Sequence, residues 1–183
     1  ENDNLAIGHS ALGGSVAGGE YNVAIGNYAL DALTSGDHNI CIGYNAGSAM
    51  TTMGQSVCIG SSAGTALTTG ATAQNIMIGY ATGFNLTSEG HNTFVGRVAD
   101  GTGTTNGCEY NSGFGNYVLQ DLTTGDQNAC FGDFSGYNVS TGYGNTFIGA
   151  VSGEDCTVGN HNICVGNDAD LSANNESNAI VIG

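Results

Sequence analysis

An asparagine, three residues and a glycine recur along this chain at an almost fixed spacing. The phrase runs Asn4–Gly8 (N-L-A-I-G), Asn22–Gly26 (N-V-A-I-G) and Asn39–Gly43 (N-I-C-I-G), and it starts again at Asn75, Asn92, Asn111, Asn128, Asn145 and Asn162. Ser56 and Ala179 head two variant copies that close on Gly60 and Gly183. Seven of the ten intervals between closing glycines are 17 residues, and the others are 18, 19 and 19. So strict and short a period dictates stacked, nearly identical units rather than a globule built around one unique core.

With the asparagine as position 0, position 3 is bulky and apolar in every copy, from Ile7, Ile25 and Ile42 to Phe114, Phe131 and Ile182. Position 1 is often apolar too, as at Leu5, Val23, Ile40 and Ile163. Alternation along a strand puts positions 1 and 3 on one face, which is expected to point into the core. Position 2 then faces outward, yet it carries no polar side chain. A strand apolar on both faces is covered on both. The cover is either the chain's own coil or neighbouring chains. A 17-residue coil is short for enclosing both faces, so Cys41, Cys58, Met77, Phe94, Cys130, Phe147 and Cys164 form a candidate inter-chain packing face.

The glycine at position 4 ends the strand. A second short strand is expected after it, with a small residue at position 7, an apolar anchor at position 11 and a Thr/Ser-Gly turn such as Thr34-Ser35-Gly36. Glycine density and β-branched core letters disfavour helix. The expected fold is all-β: a parallel β-solenoid, or β-roll, of eleven rungs forming one repeat array over residues 1–183. At ~4.8 Å per rung it would be a rod roughly 50 Å long. The longer intervals, at Ala71–Gln74 and Gly101–Tyr110, read as loops bulging from it.

The chain has 21 asparagines. In a stacked coil, Asn4, Asn22, Asn39, Asn75, Asn92, Asn111, Asn128, Asn145 and Asn162 would form an in-register amide ladder, each bonded to adjacent rungs. Ser56 would do part of that work.

Composition narrows function. Arg97 is the only lysine or arginine against 16 acidic residues, giving a formal charge of −15. Such a chain has nothing with which to neutralise phosphates, which argues against nucleic acid and against anionic membrane surfaces. No apolar run approaches the ~18 residues of a spanning helix. Disorder is disfavoured, because hydrophobic residues make up 40% of the chain and recur in register.

Four of the six cysteines sit at position 2, where other rungs have Ala, Met, Phe or Val, so they read as packing residues. Cys41 and Cys58 fall on adjacent rungs, close enough for a disulfide, and Cys156 could meet Cys164 across one coil. No C-x-x-C spacing suggests zinc, and the calcium-roll nonapeptide is absent. The acids Asp37, Glu89, Asp126, Glu154 and Asp155 read as solvated turn charges, and the four histidines occur singly. Neither a cofactor nor catalysis is expected. Tyr28, Tyr44, Tyr80 and Tyr117 could fill an interface or contact glycan.

The nonapeptide Asn22–Leu30 (N-V-A-I-G-N-Y-A-L), followed by Asn39–Gly47 and Asn145–Gly153, resembles the head repeats of trimeric autotransporter adhesins. It is still more similar to the N-T-A-I-G-x-x-A-L repeats of phage tail fibres and other viral or bacterial surface proteins. The resemblance spans essentially the whole chain. It implies a left-handed parallel β-roll, three rolls packed about an axis with position 2 as the trimer-facing surface, and a place on a virion or cell surface. The 17-residue period departs from the shorter repeat of the adhesin pattern.

The expected role is a non-catalytic fibre or filament element that assembles with itself, as a homotrimer or end to end through open strand edges. The alternatives are an adhesin that recognises glycan or a cell surface and, less expected, an ice-binding array built on the Thr/Ser pairs.

Overall fold

The structure, a computed structural model, describes residues 3–68, 74–87, 90–100 and 107–183. Residues 69–73 and 101–106, which cover most of the two expected bulging loops, lie outside the described residues, as does Glu89. Eleven three-residue strands follow one another: β1 (Leu5–Ile7), β2 (Val23–Ile25), β3 (Ile40–Ile42), β4 (Val57–Ile59), β5 (Ile76–Ile78), β6 (Thr93–Val95), β7 (Ser112–Phe114), β8 (Ala129–Phe131), β9 (Thr146–Ile148), β10 (Ile163–Val165) and β11 (Ile180–Ile182). They form one parallel sheet in chain order from β1 to β11. Registers are equivalent throughout, so Cys41 pairs with Cys58 and Cys58 with Met77. The chain is therefore an all-β parallel solenoid, as the period dictates.

The strand faces are the reverse of the sequence expectation. Position 2 points into the coil: Cys41, Cys58, Met77, Phe94, Cys130, Phe147 and Cys164 are all fully buried within their own chain. They are not an inter-chain packing face. Positions 1 and 3 point outward, with Ile40, Ile76, Phe114, Phe131, Ile148 and Ile163 each about two-fifths exposed. The cause is parity. The asparagine at position 0 is buried, and along a strand positions 0 and 2 share a face. A buried amide ladder thus commits position 2 to the interior and expels positions 1 and 3, however apolar they are.

The second expected strand is also replaced. Among the described residues the strands are the eleven above, and the return path is a stack of tight turns. In a typical rung Tyr28, Leu30 and His38 have φ of 62°, 50° and 59°, and equivalent residues repeat this in other rungs. Left-handed backbone is unusual for non-glycine residues. Here it aims each N–H along the rod. The amides of Tyr28, Leu30 and His38 donate to the carbonyls of His9 (2.9 Å), Ala46 (3.1 Å) and Glu20 (3.0 Å) on adjacent rungs. The corner glycine at position 4 is obligatory for another reason: a Cβ on Gly26, at φ 130°, would collide with the carbonyl of Gly43.

The core is a thin column in which position 2 meets position 8. Where position 2 is small (Ala6, Ala24, Gly113), position 8 is Leu12, Leu30 or Leu119. Where position 2 is Cys41, Cys58, Met77, Cys130 or Phe147, position 8 is Gly47, Gly64, Gly83, Gly136 or Gly153. The two share one slot. A Cβ on Gly47 would stand 2.7 Å from the Cys41 Sγ, and one on Gly153 would stand 2.5 Å from the Phe147 ring. Asp100 beside Phe94 and Asp170 beside Cys164 depart from the rule. Buried small residues at position 7 (Ala29, Ala46, Ala63) and anchors at position 11 (Leu33, Met50, Leu67, Leu122) complete the packing.

Candidate functional surface

The asparagine ladder closes each coil and ties it to the next. Asn39 Nδ2 donates to the Met53 carbonyl of its own rung (2.8 Å) and to Asn22 Oδ1 (3.0 Å). The same Oδ1 accepts the Asn39 backbone N–H at 2.9 Å. Asn111, Asn128 and Asn145 repeat all three bonds. Asn4 begins the column, bonding the Gly19 carbonyl and accepting from Asn22. Asn92 takes up the Cys108 carbonyl and accepts from Asn111, Asn75 Oδ1 accepts from Asn92, and Asn162 Oδ1 accepts the Ala179 N–H. At the variant rung, Ser56 N–H donates to Asn39 Oδ1 (3.1 Å) and Ser56 Oγ accepts from the Asn75 N–H (3.2 Å). The serine thus keeps the backbone link, and its Oγ also donates to the Gly54 carbonyl at 3.5 Å.

The outward sheet face is apolar and left without a cover in the single chain. Eleven strands place two outward residues each along the rod. At the strand and rung spacings this is a stripe of roughly 500 Å². Position 3 contributes isoleucine, valine or phenylalanine in every rung. Position 1 is Leu, Val or Ile in β1–β5 and in β10 and β11, and shrinks to Thr93, Ser112, Ala129 and Thr146 between them. The Phe114 and Phe131 rings stack at 5.0 Å and 4° in that middle region. None of these outward strand residues is charged, in a chain of net charge −15. Acids occur in the turns on either side of the strands: Asp133 follows Phe131 by two residues, and its Oδ1 accepts the Asn116 N–H (2.9 Å). Several fall two residues ahead of the ladder position, where Asp37 Oδ1 accepts the Glu20 N–H (2.8 Å) and Asp126 Oδ1 accepts the Glu109 N–H (2.7 Å).

Aromatic side chains flank the stripe. On one side Tyr21 stacks on His38 (5.1 Å, 7°) and His91 on Tyr110 (4.8 Å, 16°). On the other side lie the four tyrosines singled out from the sequence, in two groups. Tyr28 and Tyr44 meet edge to face at 6.0 Å. They line an open cleft of about 560 Å³ with Asp31, Asn45, Ser48 and Thr65. Tyr80 and Tyr117 lie on either side of the Arg97 guanidinium, at 5.9 and 5.0 Å from their ring centres, and Arg97 also donates to the Tyr117 hydroxyl. Tyr117 in turn stacks on Phe134 at 5.2 Å.

All six cysteines are buried free thiols, so neither Cys41 with Cys58 nor Cys156 with Cys164 forms a disulfide. Burial pushes the Cys41, Cys130 and Cys156 thiols above their ordinary range, and Cys164 up to about 11. A thiol held neutral in an apolar column is a poor nucleophile. The position-12 hydroxyls bond along the rod: Thr34 and Thr51 each donate to the next rung's carbonyl at 2.9 Å. Among the described residues no group of three His, Cys, Asp or Glu side chains converges as a metal site, and no helix is long and apolar enough to cross a membrane. Position 2, the surface column expected from the sequence, lies inside; the exposed columns are positions 1 and 3. The signal for this was present in the buried asparagine two residues before position 2. Compared with protein-family models, with curated proteins and with solved structures, the chain finds no match.

Proposed function

We propose that this chain is a non-catalytic structural element: a rigid segment of a virion fibre or of an extracellular or cell-surface filament. The observation that carries the reading is the continuity of axial bonding. A sheet of eleven in-register strands runs the length of the chain, and an amide column and left-handed turn amides tie the remaining sides of the coil from rung to rung. Such a coil resists bending because flexing it strains several parallel columns of hydrogen bonds at once. Negative-stain electron microscopy tests this: isolated particles should be elongated units near ~50 Å long, the span of eleven rungs at the inter-strand spacing. A longest dimension well short of that span would sink it.

A second reading, recognition of a cell-surface glycan, draws on the Tyr28–Tyr44 cleft, where two aromatic faces adjoin Asp31, Asn45 and Ser48. Aromatic rings beside hydroxyl, amide and carboxylate groups suit the apolar face and hydroxyl rim of a sugar. Glycan-array binding lost in Tyr44→Ala would support it, and an array without hits would remove it.

A further inference from the structure

Sulfur is unevenly spread along the buried column. All three methionines, Met50, Met53 and Met77, fall in one stretch of the chain, and Cys41 and Cys58 belong to the same rungs. The rung headed by Asn39 is the one that carries sulfur at both position 2 (Cys41) and position 11 (Met50). Both side chains are fully buried, and Cys41 Sγ lies 4.0 Å from Met50 Sδ. Cys58 pairs with Cys41 from the next strand, and the two thiols are hydrogen-bonding neighbours across the rungs. A Cβ on Gly47 would stand 2.7 Å from each of the Cys41 and Met50 sulfurs, so the glycine keeps both clear on that side.

We propose that Cys41, Cys58 and Met50 form a binding site for a soft monovalent metal ion, copper(I) or its analogue silver(I). Thiolate and thioether sulfur select such ions over harder ones. The spacing fits. An ion in the plane of three sulfurs, bonded to each at the ~2.3 Å of a metal–thiolate bond, holds them ~4.0 Å apart. Coordination number separates this ion from zinc, which takes four ligands in a tetrahedron. Among the described residues no histidine is buried, and the buried carboxylate, Asp100, belongs to the rung headed by Asn92, so three sulfurs are what the column offers. Charge balances as well. One cysteine gives up its proton to solvent as the ion binds. A monocation with one thiolate, one thiol and one thioether then leaves the apolar column neutral.

The other cysteines do not assemble this set. The rung of Cys130 has Val139 at position 11, and neither Cys156 nor Cys164 has a methionine in its rung. The ion's way in is short. Ser48 and Ala49, in the turn between Gly47 and Met50, line the open cleft beside Tyr28 and Tyr44, so one turn of backbone separates the sulfurs from solvent. The site goes beyond the structural-segment reading: a bound ion would staple two neighbouring rungs through their interior.

Thermal melting of the reduced full chain with one equivalent of silver(I), in chloride-free buffer without oxygen, tests the proposal. An ion that merely scavenges thiols favours the unfolded chain, where all six cysteines are reachable, and lowers the melting temperature. An ion held by the folded column raises it. A rise is expected, with native mass showing one ion bound and one proton lost per chain. Copper(I), supplied as its acetonitrile complex, should reproduce the rise. Met50→Leu, a swap of similar volume, should melt near the parent value without silver and bind the ion roughly tenfold more weakly or worse. Cys58→Ala, an alanine that position 2 already accepts at Ala24, should abolish the rise, whereas Cys164→Ala should keep it. A melting temperature that silver lowers or leaves unchanged would overturn the proposal. So would a rise as large in Met50→Leu or Cys58→Ala as in the parent, or a larger rise with zinc than with silver.

Discussion

At the scale of single residues, the buried amide at position 0 governs the rung. Asn128 makes three side-chain bonds downstream: Gly142 O with Asn145 N–H and Nδ2. Asn128→Ala leaves these buried groups short of partners and is expected to cost about 3 kcal/mol or more, since each unsatisfied buried group costs roughly 1–3 kcal/mol. Asn128→Ser should cost less, because Ser56 already serves one rung in this way. Denaturant titration of both variants separates the two outcomes. Val151, a β-branched residue at φ 59°, gives the opposite sign: Val151→Asn should stabilise by about 0.5–1 kcal/mol, because left-handed backbone costs a branched residue most and asparagine least among non-glycines. The thiols add a pH dependence. Their folded pKa values are raised, so the neutral form is retained in the coil while the unfolded chain ionises from the ordinary 9.0 upward. Their contribution is complete below that value and is lost as pH rises toward about 11 for Cys164. The melting temperature should therefore fall over this window, and Cys164→Ala should flatten the fall.

At the scale of the rung, the slot shared by positions 2 and 8 makes a non-additive prediction. Gly47→Leu alone drives a side chain into Cys41 Sγ and Met50 Sδ, each 2.7 Å from its Cβ, and should cost roughly 3 kcal/mol or more by overpacking. Combined with Cys41→Ala it recreates the neighbouring Ala24/Leu30 arrangement and should recover most of that loss. Equal destabilisation of the single and double variants, by thermal melting, would show that the slot is not shared. The sequence is uneven in what it reveals at this scale. The strand positions, the parallel stacking and the amide column follow directly from the period. The facing of the strand does not follow from residue bulk, because Ile7, Ile25 and Ile42 look more core-like than Cys41 or Ala24. It follows from combining two readings, a buried asparagine and a two-residue alternation, which together exclude positions 1 and 3 from the interior. The return path was illegible for a different reason: left-handed Tyr28, Leu30 and His38 are stabilised by bonds to neighbouring rungs, and no local propensity reports those.

At the scale of the whole molecule, turning the strand around changes what the surface says. With position 2 inside, the cysteines belong to the core column, and the apolar face left uncovered is the column of Ile and Phe at position 3 beside position 1. Lateral packing through that face thickens the particle without lengthening it, whereas stacking through strand edges lengthens it without thickening it. Neither shortens it. Small-angle X-ray scattering from the purified chain therefore tests the rod most directly, whatever its mass. The expected result is a longest dimension of ~50 Å, eleven rungs at the inter-strand spacing, or a multiple of it. A longest dimension well short of that span would contradict it.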